Sequence, residues 1–443
     1  MASTETVRNI QCLIWLYFWL WIFEGSLRKW VVPQLSAPLL IIRDPVAIGA
    51  YFLALRAGIF PKDIFTKIII RLAFISFLGG LATVITSDNN LTLTVIFFGL
   101  RVNFLHLPLT FLICKVFNLD DVNKLGRWVL LLSVPMAILM VYQFSSSPDN
   151  FINRGVATGM TQIASAGGKI RPSGTFSFIT GAAQYLSLVA SLLLYGLFQN
   201  KIYPYWLLIA SGIGLVLALA VTGSRSAIGL VGVVLICLMV ALLVRPALIA
   251  KSYKFLVLVG AIYFGISFVP FFNEGIEIFS ARVESANSVE ASSGGIVARF
   301  FNGFLSPFQY SDRIPPLGHG LGMGTNVGAV LLTGKAQFLL AEGEWGRVIF
   351  ESGLVLGLLY ILLRIALVCW IGWLGIKSAA AGNILPLLLF GNCGIILLNG
   401  QFGYASDLGF AVLGSGLCLA STKSMFNNSK QPNEDFISKQ LLT

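Results

Sequence analysis

Charge is scarce in this chain. Asp, Glu, Lys and Arg make up 11% of its 443 residues, against about 25% in a soluble globular domain. Histidine occurs twice, and the six cysteines (Cys12, Cys114, Cys237, Cys369, Cys393, Cys418) stand singly in apolar stretches with no C-x-x-C pair. Neither a zinc site nor a disulfide framework has the spacing it needs, so no metal is expected. The formal net charge of +11 is scattered in ones and twos, without the basic patch and stacking aromatics of a nucleic-acid binder. Nucleotide loops are missing too. In "PLGHGLGMGTN" (316–326) every G-x-G-x-x-G register ends on Met323, Thr325 or Val327, and "AVLLTGKAQ" has Ala329 and Ala336 where a phosphate loop needs Gly and Ser or Thr. No cofactor is therefore expected, and the glycine-rich run reads as a turn that permits close backbone approach.

What is abundant is apolar sequence. Hydrophobic residues are 56% of the chain, in recurring runs long enough to cross a bilayer. The expected fold is all-α: a polytopic membrane protein with about twelve transmembrane helices. They are placed near 9–24, 38–56, 66–86, 92–115, 127–144, 180–198, 205–222, 226–244, 254–272, 346–366, 384–399 and 404–421. The first run, "IQCLIWLYFWLWIF", lacks a small-residue cleavage site and reads as a retained span.

Basic residues set the orientation. With the N-terminus inside, Arg8, Arg56, Lys62, Lys67, Lys115, Lys124, Arg127, Lys201, Arg245, Lys251, Lys254 and Lys377 all fall on the cytoplasmic side. Both termini are then cytoplasmic. Residues 1–422 form one membrane domain, and 423–443 a polar tail expected to be disordered. Two long polar segments, 145–179 and 273–345, fall on the outer side, the second between the ninth and tenth spans. Loops of such length tend to carry function.

Several cations sit on the outer side, against the positive-inside trend: Arg28, Lys29, Arg43, Arg154, Lys169, Arg171, Arg225, Arg282, Arg299, Arg313, Lys335 and Arg347. Arg171 lies in "RPSGTF" ahead of the sixth span, and Arg225 in "TGSRSA" between the seventh and eighth. An arginine at the bilayer centre costs about 3–17 kcal/mol, so a retained one needs a reason. Guanidinium forks chelate phosphate oxygens, and two at headgroup depth suit a lipid pyrophosphate. The plain alternative is snorkelling or pairing with a carboxylate.

The order of these motifs resembles the O-antigen ligase and polymerase superfamily of bacterial envelope enzymes. It runs from "RPSGTF" and "TGSRSA" through Arg299 in "ARFFNGF" and "PPLGHGLGMGTN" to "EWGRVIFESGLVLGLLYILL", over roughly residues 125–370. The resemblance implies an inner-membrane glycosyltransferase that acts in the periplasm on undecaprenyl-pyrophosphate-linked oligosaccharide. Arg171 and Arg225 would bind the pyrophosphate. A glycan acceptor, membrane lipid, a chain-length regulator and a flippase of the same pathway would be its partners. Family ligases carry a histidine eleven residues before the glycine of the "ESGLVLG"-like stretch; here that count, back from Gly353, reaches Glu342. Polymerisation of O-antigen, capsule or exopolysaccharide units is thereby favoured over transfer to lipid A-core. Ligase activity remains the first alternative, and a transporter or lipid flippase the more distant one.

Such a reaction needs fixed cations at the leaving pyrophosphate and a base for the attacking hydroxyl. Glu342 and Glu344, at the mouth of the tenth span, are the candidate bases. Glu344, Arg347 and Glu351 also fall at i, i+3 and i+7, the spacing of a plain ion-pair ladder. Arg101, close to Asn103 and His106 inside the fourth span, is either a cavity residue or part of a buried structural pair. Arg299, His319 and Arg347 complete the candidate cavity residues. Glu24 with Arg28, and Arg43 with Asp44, read as local ion pairs at the first outer turn.

Overall fold

A computed structural model describes residues 4–86, 91–156, 162, 164–165, 168–199, 201–251, 260, 274–278, 280, 308, 314–335 and 337–428. Among these residues every long element is a helix, and the only β-type pairing is an isolated bridge between Ala164 and Ile170. Helices satisfy their own backbone polar groups, which a lipid surround demands.

In chain order the principal helices are α1 (Thr4–Ser26), α2 (Asp44–Arg56), α3 (Ile64–Thr86), α4 (Leu93–Leu100), α5 (Leu107–Val116), α6 (Leu119–Ser145), α7 (Ile179–Phe198), α8 (Tyr205–Val221), α9 (Arg225–Val244), α10 (Asn326–Thr333), α11 (Glu344–Ala380), α12 (Leu385–Asn399) and α13 (Ala405–Asn428). Counted through short irregular turns, nine described segments are long and apolar enough to cross a membrane, and α8 and α12 are shorter apolar helices. Eleven of the expected spans coincide with these helices, while 254–272, residue 260 apart, lies outside the described residues. Helix α6 starts earlier than expected, because Asn118 and Asp121 form a reciprocal capping box at its N-terminus. Helix α13 continues past 422 to Asn428, and 429–443 lie outside the described residues.

Burial sorts the helices into a centre and a periphery. The apolar windows of α7 and α13 are 94% and 100% buried, those of α3 and α9 only 28%. The centre therefore holds α7 and α13, flanked by α12, α6 and α5. On the periphery, Ile70, Phe74 and Leu78 of α3 and Ile236, Met239 and Leu243 of α9 are exposed, the side chains that acyl chains would solvate.

Long-range contacts define two ends of the bundle. At one end Gln199 donates to Gly382 O, Asn383 to Ser421 O, and Lys423 to Lys115 O and Phe117 O. At the other, Ser36 donates to Val156 O, Lys29 to Gly174 O, and Gln401 to Glu342 O. The second end gathers the described residues of 168–178 and 314–343 and the candidate sites described below.

Two spans are broken near that end. Between α4 and α5 the chain widens into a π-helical turn, Arg101–Leu105. Pro108 follows, with no N–H for the carbonyl four residues before it. On either side of that carbonyl, those of Asn103 and Leu105 accept from the hydroxyls of Tyr360 (3.0 Å) and Tyr51 (2.8 Å). Helix α11 runs to Ala380, well past the expected 366, and is interrupted at Gly353 (φ 78°, ψ 167°). That conformation is open to glycine and closed to most L-residues.

Candidate functional site

The break in α11 is where the glycine-rich run docks. His319 N donates to Phe350 O at 2.8 Å and Gly320 N to Glu351 O at 3.1 Å, so the loop supplies donors that the interrupted helix lacks. Close backbone approach is thus what the run provides, as its composition suggested. At Gly324 a Cβ would sit 2.7 Å from Arg347 Cγ, and the Gly324 N–H donates to Glu351 Oε1 at 2.9 Å. The glycine lets the loop backbone lie directly on the ion pair below.

That ion pair is the ladder read from the spacing, extended by two partners. Arg347 donates to Glu344 Oε2 (2.8 Å) and Oε1 (2.9 Å), to Glu351 Oε2 (2.7 Å) and to Asn103 Oδ1 (2.8 Å). Arg364, beyond the break on the same helix, donates to Glu344 Oε1 at 2.7 Å and to the carbonyls of Leu397 and Gly400, with its guanidinium 4.0 Å from the Phe402 ring centroid. All four charged side chains are buried. Two carboxylates balance two guanidinium groups, the condition under which charge is tolerated in a low dielectric.

Above this layer opens a small, partly open cleft, lined by Glu342, Glu344, Arg347, Asn326, Phe338, Gln401 and Tyr404 among others. Glu342 is exposed at its rim, whereas Glu344 has both oxygens on arginine donors. Gln401 is fixed twice: its N–H donates to Asp407 Oδ2 at 2.9 Å, and its Nε2 donates to Glu342 O. Asp407, buried at the start of α13, also accepts from Gln184 Nε2 at 2.8 Å. Tyr404 stacks on Phe178 and its hydroxyl accepts from Asn326 Nδ2 at 3.3 Å. Burial pushes the Tyr404 hydroxyl pKa up, and the Asn326 bond opposes the shift only in part.

The other candidates sit on the same end. The strap carrying Arg171 lies on the turn before Arg225: a Cβ on Gly223 would lie 3.9 Å from Arg171 Cγ. Both arginines are half-buried, Arg225 as the first residue of α9. The strap is clamped from α1's side by Lys29, whose Nζ donates to Ser173 Oγ (3.0 Å), Gly174 O (2.7 Å) and Phe176 O (2.8 Å). Its far end, Phe178, is the residue stacked on Tyr404. Arg171 and Arg225 themselves are not among the cleft's lining residues. His319 is half-buried beside Phe350, outside the cleft lining. Arg282, Arg299 and Arg313 lie outside the described residues.

At the first turn the local pairing holds for one pair and not the other. Arg28 Nη1 meets Glu24 Oε1 at 2.9 Å. Arg43, however, turns away from Asp44: its Nε lies 3.5 Å from Glu24 Oε2, and its Nη1 donates to Tyr17 Oη at 3.3 Å. Asp44 instead binds Arg101 Nε (2.6 Å) and His106 Nε2 (3.0 Å), and His106 Nδ1 lies 3.1 Å from Tyr17 Oη. Adjacent residues at a helix start point in different directions, so neighbours in sequence need not be neighbours in space. Arg101 is accordingly in a buried structural pair and does not line the cleft. The π-helical turn thus serves both networks, Arg101 toward Asp44 and Asn103 toward Arg347.

Sequence reading missed Arg364 and Asp407. Each is an ionisable residue inside an apolar run, and that alone is a signal; their partners depend on helix packing. No group of His, Cys, Asp and Glu among the described residues has metal-holding geometry. No protein-family model matches the chain, and no curated protein matches it significantly.

Proposed function

We propose that this chain is a glycosyltransferase of the bacterial inner membrane, which polymerises undecaprenyl-pyrophosphate-linked oligosaccharide units on the periplasmic side. The observation that carries the reading is the contact between the Arg171 strap and the Arg225 turn. It brings two guanidinium-bearing segments together at the bundle end that also holds the Glu342 cleft. In the proposed step a hydroxyl oxygen of one unit bonds to the anomeric carbon of another, and the bond from that carbon to the pyrophosphate oxygen breaks. The hydroxyl proton passes to Glu342, and the charge gained by the released pyrophosphate is met by Arg171 and Arg225. Glu342 suits the base better than Glu344, because Glu344 is committed to two arginines.

The test is chain extension by purified protein supplied with lipid-linked units, read as a ladder of polymer lengths. Arg171→Ala and Arg225→Ala should each abolish long chains while the protein remains folded. Wild-type ladders in both would refute the site.

A second reading has its own support. Interrupted spans with ionisable residues at the breaks, as at Arg101–Leu105 and Gly353, are also a transporter's architecture. Movement of lipid-linked units across vesicles without any change in their length would favour it.

A further inference from the structure

The cleft over Glu344 is biased toward hydrogen-bond acceptors, with a carboxylate at its rim. Glu342 contributes that carboxylate, and Asn326, Gln401 and Tyr404 contribute side-chain amides and a hydroxyl. Several donors nearby are already engaged, while the Tyr404 hydroxyl, an acceptor toward Asn326, also carries an O–H. Asn326 Nδ2 is on Tyr404, and Gln401 Nε2 is on the Glu342 carbonyl. Arg347, the cation in the lining, spends its Nε, Nη1 and Nη2 groups on Glu344, Glu351 and Asn103. Among the described residues, the lining and the layer behind it set Glu342, Glu344, Glu351 and Asp407 against Arg347 and Arg364. The balance is negative by two charges, four carboxylates less two guanidinium groups. Apolar ring surface completes the site: Phe338 is 47% exposed, and Tyr404 is braced from behind by Phe178.

We propose that this cleft is a subsite for a neutral pyranose ring and that its acid-biased wall excludes uronic and other acidic sugars. A neutral sugar presents several O–H donors to the rim carboxylate, on a ring whose C–H face can lie flat against an aromatic. An anionic sugar brings a carboxylate toward carboxylates, with no uncommitted guanidinium among the described lining residues to receive it. A site built for hydroxyl donors discriminates strongly against a group that cannot donate. The sugar class rests on the glycan-transfer reading, but the proposal concerns binding and is measured without any transfer.

The experiment is saturation-transfer NMR on the full chain in detergent micelles. The probes are the methyl glycosides of glucose, galactose and mannose, each paired with its uronic acid at neutral pH. At least one neutral glycoside should bind at least about tenfold more tightly than its uronide. Glu342→Gln, at an exposed position, should narrow that gap by strengthening uronide binding, and Tyr404→Ala should remove the neutral signal. Equal binding of a neutral sugar and its uronide, no binding of any neutral probe, or an unchanged ratio in Glu342→Gln would each overturn the proposal. The two readings separate cleanly: neutral-selective binding without chain extension would refute the transferase and leave the subsite, and chain extension without such selectivity would do the reverse.

Discussion

Arg347 Nη2 donates to Asn103 Oδ1 at 2.8 Å, a bond between residues 244 positions apart. It ties the widened turn between α4 and α5 to the first turn of α11, so two helix irregularities are locked to each other through one guanidinium group. Because Arg347 also holds Glu344 and Glu351, removing it leaves Glu344 on Arg364 alone and Glu351 buried with the Gly324 N–H as its donor. Arg347→Leu should therefore lower stability by about 3–5 kcal/mol, seen as a marked fall in thermal midpoint in detergent. Combining it with Glu351→Gln should recover part of the loss. An additive double variant would show that the pair is not coupled.

Asp44 offers a sharper test of pairing. Its partners are Arg101 and His106, and its sequence neighbour Arg43 faces Glu24 and Tyr17. A double-mutant cycle between Asp44→Asn and Arg101→Gln should give a coupling energy of about 1–3 kcal/mol, and a cycle between Asp44→Asn and Arg43→Gln a much smaller one. The reverse order would restore the local-pair expectation.

Gly353 carries the break in α11. Its φ of 78° and the Pro316 carbonyl packed against its missing side chain leave no space for a Cβ. Gly353→Ala should cost at least about 1–3 kcal/mol and release the His319 and Gly320 contacts to the helix. Limited proteolysis would then cut 314–325 sooner than in the parent. Gly357→Ala is no clean control, because a Cβ there meets the Ile349 backbone. Gly229, with open space around it, is.

How far the sequence carried this description depends on the range of the interaction. The apolar runs place the helices because membrane spanning is a property of each segment alone. The Glu344–Arg347–Glu351 ladder and the Glu24–Arg28 pair are legible for the same reason, being one turn apart on one helix. Illegible were the bonds that need two helices to meet: Asp44 to Arg101, Arg364 to Glu344 through the break, Gln184 to Asp407, and Lys29 to the 173–176 strap. Arg43 shows the cost of extending the local rule to adjacent residues. The break at Gly353 was hidden because "ESGLVLG" reads as one helix until the loop that competes for its carbonyls is placed against it.

Glu342 and Glu344 are two residues apart and line one cleft, yet they should behave as different kinds of residue. Glu344 is buried, with Arg347 on both of its oxygens and Arg364 on one. Its replacement by Gln removes one of the two charges that balance the arginines, and the only one that Arg364 meets among the described residues, and should lower the thermal midpoint. Any loss of polymer would then track the loss of folded protein. Glu342 is exposed, and its backbone carbonyl takes the bond from Gln401. Glu342→Gln keeps that bond and should leave the stability within about 0.5 kcal/mol of the parent. If Glu342 accepts the hydroxyl proton, however, chain extension should slow by about 10²–10⁴-fold. The slowing should also respond to the acceptor: an acceptor hydroxyl of lower pKa should recover part of the rate in Glu342→Gln, and none of the stability in Glu344→Gln. Full-rate extension by Glu342→Gln would remove it from the chemistry and leave the cleft a binding site only.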